Sequence, residues 1–547
     1  MFIIHPLHFL PPQGQRARRL AIVLLCFAPF AFGILALALG QDSNWDFRNY
    51  HFYNAYAFLN NRYAQDLLPS QTPYFYNPLL DVPFFVLATH APARVAGFAL
   101  GFVQGLNFIL LFIIAHVALI VPNQRHKVIV CAALATLGML GGGGIAQIGT
   151  TFGDNITSLG ALLSAALIVR HLERLSIDRT TRVCGLVFAF GIPVGLMVGL
   201  KLPSVIYAIG LCGGLLFTRG EKRRRGVLLS FAFGFGVLAG IAVTLGPWAV
   251  FLERNFGSPL FPYFNDIFRS PLEPPVSARD IQYVPQTLRD ALLTPFIFMH
   301  SPFRVGEIPW RDWRIPLLYV LLPLAIVLRL FFGRNRAPTD ALASRDAARY
   351  LLTSFSIAYL VWLLMFSIYR YAVTLEMISP LLIVFAVGML PLKLPTRALV
   401  AAFLLAVVSA SVQAGDWGRR TVWLDHFVEA GIPDLGDTSH LMILMAGIDP
   451  YSHLVPEFPS QIAFTRIQSN FSSPEEDKGI NRLIHERVDA HRQQGGRFMM
   501  LIPNWQLSGA ENALSYFDLK LGPEACQSVT DRLDNDTPVS LCPVVTK

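Results

Sequence analysis

Long apolar runs recur along the chain as far as residue 413. A helix needs roughly 20 apolar residues to cross a bilayer, and most of these runs reach or approach that length. The predicted spans are 20–39, 95–121, 128–150, 156–170, 183–199, 203–217, 227–250, 315–333, 350–368, 375–392 and 398–413. The pattern therefore predicts an all-α polytopic membrane protein with about eleven transmembrane helices. The apolar segment 79–90 is too short to span and contains Asp81, so we expect an interfacial or re-entrant helix there.

The pattern changes after residue 413. Two apolar runs of strand length, 440–447 and 497–503, enclose a segment from Ile480 to Val488 in which apolar residues recur at helical spacing. The pair Gly495-Gly496 ends that predicted helix. Strand, helix and strand in this order predict a small α/β domain over 414–547, next to a transmembrane domain over 1–413.

Composition supports the membrane interpretation. Of the 547 residues, 53% are hydrophobic and only 15% are charged, whereas soluble domains carry about 25% charged residues. The net charge of +8 does not indicate a nucleic-acid partner, because the basic residues fall in short loops between apolar segments. Basic residues in such loops mark the cytoplasmic side.

The basic loops predict an orientation. They are marked by Arg16, Arg18 and Arg19, by Arg125 and Lys127, by Arg170 and Arg174, by Arg345 and Arg349, and by Lys393 and Arg397. We therefore expect a cytoplasmic N-terminus and outer regions 40–94, 251–314 and 414–547. The predicted location is a bacterial inner (cell) membrane, with the C-terminal domain periplasmic or extracellular.

A polar and aromatic run follows the first predicted span and contains Asp42, Asp46, Tyr50 and His51. Ionisable groups at a membrane edge are costly, so a cluster of them indicates chemistry or ion binding. A structural alternative exists for each type of residue: Asp46 could cap the next helix, and the tyrosines could anchor helices at the interface. Asp42 competes with Asp46 for any catalytic role.

Four further polar positions lie at predicted outer corners. Asp154 lies between the third and fourth spans, where it could equally be a helix cap. Lys201 ends the fifth span, and Arg370-Tyr371 lies between the ninth and tenth; these cations could bind phosphate or reach the interface as anchors. Glu376 is either the N-terminal charge of a span or a second acid. Arg311 and Arg314, beside tryptophans in the loop 251–314, are weaker phosphate-binding candidates.

The Asp46 run resembles the first outer loop of the GT-C glycosyltransferase superfamily, in which an acidic residue just beyond the first helix serves sugar transfer. Arg370-Tyr371 resembles the late outer Arg-Tyr pair that contacts the donor phosphate in that family. The family usually has a proline soon after this pair; here Pro380 comes later and Glu376 intervenes. The resemblance covers roughly residues 20–392.

This resemblance implies a hexosyl- or pentosyltransferase of the mannosyltransferase or arabinosyltransferase kind. It would use a polyprenyl-phosphate sugar, with inversion, at the outer membrane face, and its acceptor would be a glycan, lipid or protein. Asp46 would be the catalytic base, with its pKa raised by burial. The donor phosphate would be held by Arg370, Tyr371 and Lys201. Candidates for the acceptor or second acidic site are Asp154, Asp42, Tyr50 and His51.

The same residues leave other protein classes and a metal ion open. A transporter or flippase of lipid-linked glycans shares the spans, but we find no internal repeat. An O-antigen ligase or polymerase differs mainly in its acceptor. No metal-ligand spacing occurs and no cofactor is certain, although a divalent ion between Asp46 and Asp154 is possible.

Two smaller predictions concern glycine and cysteine. The run Gly141 to Gly144 lacks the lysine of a phosphate loop, so we expect a flexible, closely packed stretch inside the third span. Cys526 and Cys542 lie in the polar tail and could form a disulfide in an oxidising compartment.

Overall fold

The computed structural model describes residues 14–217, 223–277, 280–332, 341–534 and 537–547. Helices make up most of the chain before residue 411. They are α1 Gln15–Leu39, α2 Phe52–Leu59, α3 Val82–His90, α4 Ala93–Ala118, α5 Gln124–Met139, α6 Gly142–Gln147, α7 Asp154–Ile177, α8 Thr180–Leu200, α9 Val205–Leu215, α10 Arg223–Thr244, α11 Gly246–Phe256, α12 Asn265–Phe268, α13 Leu288–His300, α14 Arg314–Phe332, α15 Arg345–Met365, α16 Val373–Met389, α17 Leu394–Ala410, α18 Gly479–Gln493 and α19 Leu507–Ser515.

Eight helices within the described residues are long and apolar enough to cross a membrane. They are α1, α4, α7, α8, α10, α14, α15 and α16, the last extended by the turn that begins at Tyr369. The predicted spans 203–217 and 398–413 correspond to the shorter helices α9 and α17. The chain is thus compatible with a membrane protein, but the expected eleven spans are not confirmed.

The predicted span 128–150 is broken. Helix α5 ends at Met139, the short helix α6 starts at Gly142, and irregular backbone follows to α7. A Cβ atom on Gly141 would lie 1.8 Å from Oε1 of Glu376, so the glycine run brings its backbone against this buried carboxylate. The run is a helix break that holds Glu376, rather than part of a continuous span as expected.

Helix α16 occupies the centre of the helical bundle. Of its most apolar 18-residue window, 89% is buried, compared with 33% for α1, which exposes apolar residues such as Val23, Phe27 and Ile34. A helix that is apolar all round is either buried or faces lipid, and these two helices represent the two cases. The N-terminal end of α16, which follows Arg370 and Tyr371, therefore lies in the middle of the bundle.

The tail forms the predicted strand–helix–strand unit within a mixed sheet. The strands of the chain are β1 Gln41–Asp42, β2 Arg419–Arg420, β3 Ala430–Gly431, β4 Leu441–Met445, β5 Ala463–Arg466, β6 Arg497–Pro503, β7 Leu519–Leu521, β8 Gln527–Asp531 and β9 Val539–Thr546. Strand β4 is parallel to β5 and β6, with α18 as the crossover to β6, and β9 is antiparallel to β6, β7 and β8. Strand β4 is buried throughout, as its continuous apolar run indicates.

The segments between helices that we predict to lie outside share one hydrophobic core with the tail domain. Tyr53, Tyr74 and Trp248 are buried in the same cluster as the apolar residues of β4 and β6. Strand β1 pairs with β2, and Leu67 extends the edge of β5 through hydrogen bonds to Phe464 and Arg466. The segment after α1 is therefore held between the helical bundle and the sheet.

Candidate functional site

The polar run after α1 folds into a π-helical turn, Phe47–His51, that leads into α2. Asn44, and not Asp46, caps this turn: Oδ1 of Asn44 accepts a hydrogen bond from the Phe47 N–H at 2.8 Å. Asp46 makes no capping bond, so the helix-cap interpretation of this residue is wrong. Its Oδ2 instead accepts a hydrogen bond from the Tyr50 hydroxyl at 3.2 Å. Wide turns of this kind occur often at functional sites.

Asp46 meets Arg370, 324 residues further along the chain. Nη1 of Arg370 donates to Oδ2 of Asp46 at 2.5 Å, and the two side chains are 13% and 15% exposed. The guanidinium lies 4.7 Å from the centre of the Phe152 ring. Its Nε is buried and has no hydrogen-bond partner among the described residues. The ion pair is thus sheltered but reachable, with one donor unused.

A second ion pair lies beside the first. Nζ of Lys201 donates to Oδ2 of Asp154 at 2.8 Å and to the carbonyl of Phe152 at 2.5 Å. Asp154 is the first residue of α7, whose cap is Gly153 in the left-handed conformation, so the cap interpretation of Asp154 is also wrong. Tyr371 joins the pairs, with Nζ of Lys201 at 5.6 Å and the Arg370 guanidinium at 5.9 Å from its ring centre. We call Asp46, Arg370, Lys201, Asp154 and Tyr371 the two-cation cluster.

The pKa of Asp46 is shifted in the direction opposite to the one predicted from the sequence. Burial alone would raise its pKa, but the positive charge of Arg370 above all outweighs burial and holds the pKa of Asp46 below its ordinary value. The expected raised pKa is therefore wrong for this arrangement. A carboxylate in such a pair is ionised at neutral pH and is a weak proton acceptor while the pair lasts.

Asp42, the alternative to Asp46 as a catalytic residue, uses both carboxylate oxygens in hydrogen bonds to Thr151 and Asn44. Its Oδ2 accepts hydrogen bonds from the N–H and hydroxyl of Thr151, both at 2.8 Å, and its Oδ1 accepts from the N–H and side-chain amide of Asn44. Burial raises its pKa despite these bonds. The contacts favour a role in fixing the loop before α7 against β1.

His51 has a carboxylate partner that the sequence did not indicate. Its Nδ1 lies 2.7 Å from Oδ1 of Asp81, and both side chains are buried. Burial raises the pKa of Asp81, and the neighbouring His51 opposes that shift. The Tyr50 ring lies 4.1 Å from the imidazole, centre to centre. A polar residue inside the short apolar segment 79–90 was the one available sign of this pair.

Two further tyrosines that the sequence analysis missed border the two-cation cluster. The hydroxyls of Tyr76 and Tyr263 lie 2.9 Å apart, and the Tyr50 and Tyr76 rings meet edge to face at 5.3 Å. Tyr76 is 36% exposed. Because aromatic residues are common at membrane interfaces, their type alone did not distinguish them.

Glu376 and Arg314 belong to a separate buried region, and Arg311 lies at its exposed edge. Oε1 and Oε2 of Glu376 accept hydrogen bonds from the N–H groups of Gly144 and Gly143, and the Tyr369 hydroxyl donates to Oε2 at 2.7 Å. Arg314 is 1% exposed and donates to the carbonyl of Leu140 beside Asp312. Arg311 is exposed and pairs through its backbone with Gln413. Neither arginine is part of the two-cation cluster.

An apolar groove begins close to the cluster. Its volume is about 440 Å³, and its lining comes from α4, α7 and α8, including Gly160 and Met197. Gly160 lies six residues after Asp154, and Met197 lies four residues before Lys201. Counted along the helix axes at 1.5 Å per residue, Gly160 is offset by about 9 Å from Asp154 and Met197 by about 6 Å from Lys201. A larger cleft of about 790 Å³, lined by residues such as Phe52, Asp425 and Arg532, contains no residue of the cluster.

The arrangement does not favour a bridging metal ion. Among the described residues, no group of three or more His, Cys, Asp or Glu side chains could hold one. Asp46 and Asp154 each bind a basic side chain, which neutralises the charge that a divalent cation would require.

In the tail, Cys526 and Cys542 form a disulfide, with their Cα atoms 4.1 Å apart.

No model of a known protein family matches this sequence, and no curated protein matches it either. The site must therefore be interpreted from its own geometry.

Proposed function

We propose that this protein is a membrane glycosyltransferase of the GT-C type, which transfers a sugar from a polyprenyl-phosphate donor to a hydroxyl acceptor at the extracytoplasmic face. The observation that carries the proposal is the position of Lys201, which follows the groove-lining residue Met197 by four residues and lies beside the Tyr371 ring together with Arg370. A lipid phosphate likewise joins a hydrocarbon chain to an anionic group.

The cations suit an anion that carries more than one charge. Arg370 presents a buried Nε–H that no described group accepts. Leaving a buried donor unpaired costs about 1–3 kcal/mol, and a phosphate oxygen would recover that cost with a charge-assisted bond. Lys201 adds a second, more compact charge, 5.6 Å from the centre of the Tyr371 ring. The paired carboxylates Asp46 and Asp154 keep the cations in place when no phosphate is bound.

The groove suits a long hydrocarbon chain. Its lining consists of Leu, Ile, Gly, Pro and Met side chains from three apolar helices. Relative to water, each methylene buried there stabilises a bound lipid by about 0.8 kcal/mol. A chain already dissolved in the bilayer gains little of this energy, so chain length should raise the affinity of short, water-soluble donors only.

Asp46 has two duties open to it in this proposal. If the donor phosphate displaces it from Arg370, it regains basicity beside the reacting hydroxyl and serves as the base. If the Asp46–Arg370 pair persists, the carboxylate positions the guanidinium. Asp154, Asp42 and Tyr50 would support the site rather than react.

The test is a transfer assay with purified protein in lipid nanodiscs and a panel of farnesyl-phosphate and longer polyprenyl-phosphate monosaccharides, with glycan, lipid and peptide acceptors. We expect transfer from at least one donor. Arg370→Ala should raise the donor KM about tenfold to a hundredfold, because it removes charge-assisted hydrogen bonds worth about 1.5–3 kcal/mol. Arg482→Ala, which changes an exposed arginine, should leave the KM unchanged.

Two results would contradict the proposal. One is the lack of transfer from every donor; the other is an Arg370→Ala variant that behaves like the unchanged protein. A flippase of lipid-linked glycans would bind the donors and move them across vesicle membranes without transferring sugar. This result would distinguish a flippase from the proposed glycosyltransferase.

A further inference from the structure

The His51–Asp81 pair differs from the other buried histidine–aspartate pair in the described chain. His453 uses both ring nitrogens: Nδ1 lies 3.1 Å from the carbonyl of Arg48, and Nε2 lies 2.8 Å from Oδ2 of Asp531. His51 uses only Nδ1, towards Asp81, while its Nε2 is buried without a hydrogen-bond partner among the described residues. Buried polar atoms without a partner are uncommon in folded proteins, so this nitrogen is a candidate for contact with a ligand.

His51, whose Nε2 has no hydrogen-bond partner in the described part of the chain, lies near the two-cation cluster. Tyr50, whose ring covers the imidazole, donates its hydroxyl to Asp46. His51 also acts electrostatically on Asp46, and Lys201 acts on Asp81. The charged and titratable groups around the imidazole are therefore Asp81 from the start of α3, Asp46 and Tyr50 from the π-helical turn, and Lys201 from the end of α8.

The tautomer of the imidazole follows from the charge of Asp81. When Asp81 is ionised it accepts the Nδ1–H, and the neutral ring then has its lone pair on Nε2. This is the arrangement of a carboxylate-oriented general base. Asp46, held by the permanent charge of Arg370, is the weaker proton acceptor of the two.

We propose that His51, oriented by Asp81, is the group that removes the acceptor proton; this assignment rests on the proposed glycosyl transfer. Nε2 takes the hydroxyl proton as the acceptor oxygen bonds to the anomeric carbon of the sugar. The bond from that carbon to the phosphate oxygen breaks, and the polyprenyl phosphate leaves with the additional negative charge, held by Arg370 and Lys201. His51 then returns its proton to solvent. Asp46 stays paired and positions Arg370.

Access to Nε2 requires one movement. The nitrogen is covered in the ligand-free protein, and the Tyr50 ring lies against the imidazole. An acceptor must turn this ring aside to reach the base. Tyr50→Phe, which retains the ring and loses only its hydrogen bond to Asp46, should therefore change turnover less than the loss of His51 does.

The experiment compares kcat and donor KM for His51→Gln, His51→Ala, Asp81→Asn and Asp81→Glu in the full protein. We expect His51→Gln and Asp81→Asn to lower kcat about a hundredfold or more with little change in KM, since general-base catalysis contributes 10²–10⁴. In Asp81→Asn the amide donates to Nδ1 and forces the proton onto Nε2. Asp81→Glu should recover part of the rate, and free imidazole should partly restore His51→Ala.

His90→Gln is the matched control, because His90 is an exposed histidine at the end of the helix that Asp81 begins. Near-normal kcat in His51→Gln, in a protein that transfers sugar, overturns this assignment alone and returns the base role to Asp46. A lower rate without imidazole rescue in a folded His51→Ala variant, accompanied by a raised KM, also overturns it and indicates a structural role. If the unchanged protein transfers no sugar from any donor, the proposed function itself is wrong.

Discussion

The ion pair between Asp46 and Arg370 leads to a prediction about donor binding. A phosphate bound to the free Nε edge of Arg370 would lie about 6 Å from the Asp46 carboxylate, the span of two hydrogen bonds across one guanidinium. The carboxylate both competes for Arg370 and repels the phosphate. We therefore predict that Asp46→Asn tightens the binding of farnesyl phosphate, even as it lowers turnover.

The size of the effect follows from the separation. Two unit charges 6 Å apart interact by about 2.8 kcal/mol at an effective dielectric constant of 20, and by about 1.4 kcal/mol at 40. The side chains are 13% and 15% exposed, so an effective dielectric constant in this range is appropriate for the site. These energies correspond to an affinity gain of about tenfold to a hundredfold.

Isothermal titration of farnesyl phosphate into both proteins at several pH values would measure this gain. Because the pKa of Asp46 lies below the ordinary 3.8, the carboxylate is ionised from pH 5 to 8, and the gain should persist across that range. Any stability that the ion pair contributes is present above pH 3.8 and is lost only as the pH falls through the lowered pKa.

A second buried aspartate–arginine pair offers the control. Asp66 binds Arg62 at 2.7 Å, away from the two-cation cluster, so Asp66→Asn should change stability without tightening phosphate binding. If that variant does not fold, Glu429→Gln changes a pair on the tail surface instead. Weaker or unchanged binding in Asp46→Asn would refute a phosphate site on Arg370.

Two further predictions concern the chain as a whole. A periplasm-active reporter fused after Lys547 should be active and a cytoplasm-active one inactive, because the basic loops predict a cytoplasmic N-terminus and the predicted odd number of crossings would bring the tail outside. The reverse result would mean that the number of crossings is even. Peptide mapping without reductant should recover Cys526 and Cys542 as one cross-linked species, since the two residues are bonded in the tail. Two free thiols in exported protein would contradict this.

Local sequence patterns predicted the elements whose stabilising contacts are close in sequence or depend on periodicity. The run 440–447 and the run 497–503 became β4 and β6, and the helical spacing from Ile480 to Val488 became part of α18. The span-length rule failed at the third span, where Glu376 binds the glycine N–H groups and breaks the helix. A rule based on composition cannot detect a partner more than 200 residues away.

The same limit applies to the candidate site. The sequence singled out Asp46, Arg370, Lys201 and Asp154 one by one, because ionisable groups beside apolar runs are unusual. It could not show that they pair, since Asp46 and Arg370 are 324 residues apart. The pairing reversed the expected direction of the Asp46 pKa shift. The sequence also could not show that Asp81 contacts His51, which is a second candidate base.

The hydrogen-bond partners of each buried carboxylate indicate where a ligand anion can bind. Asp42 and Glu376 accept hydrogen bonds from backbone N–H groups of Thr151, Gly143 and Gly144, whose positions the fold determines. A ligand cannot displace such bonds without unfolding the loop. Asp46 and Asp154 are bound by the long side chains of arginine and lysine, which can rotate towards an incoming anion. Only cations on such side chains can bind a second negative group, and Lys201 lies four residues from the groove-lining residue Met197. For this reason we place the donor phosphate between Arg370 and Lys201 and not at the more deeply buried carboxylates.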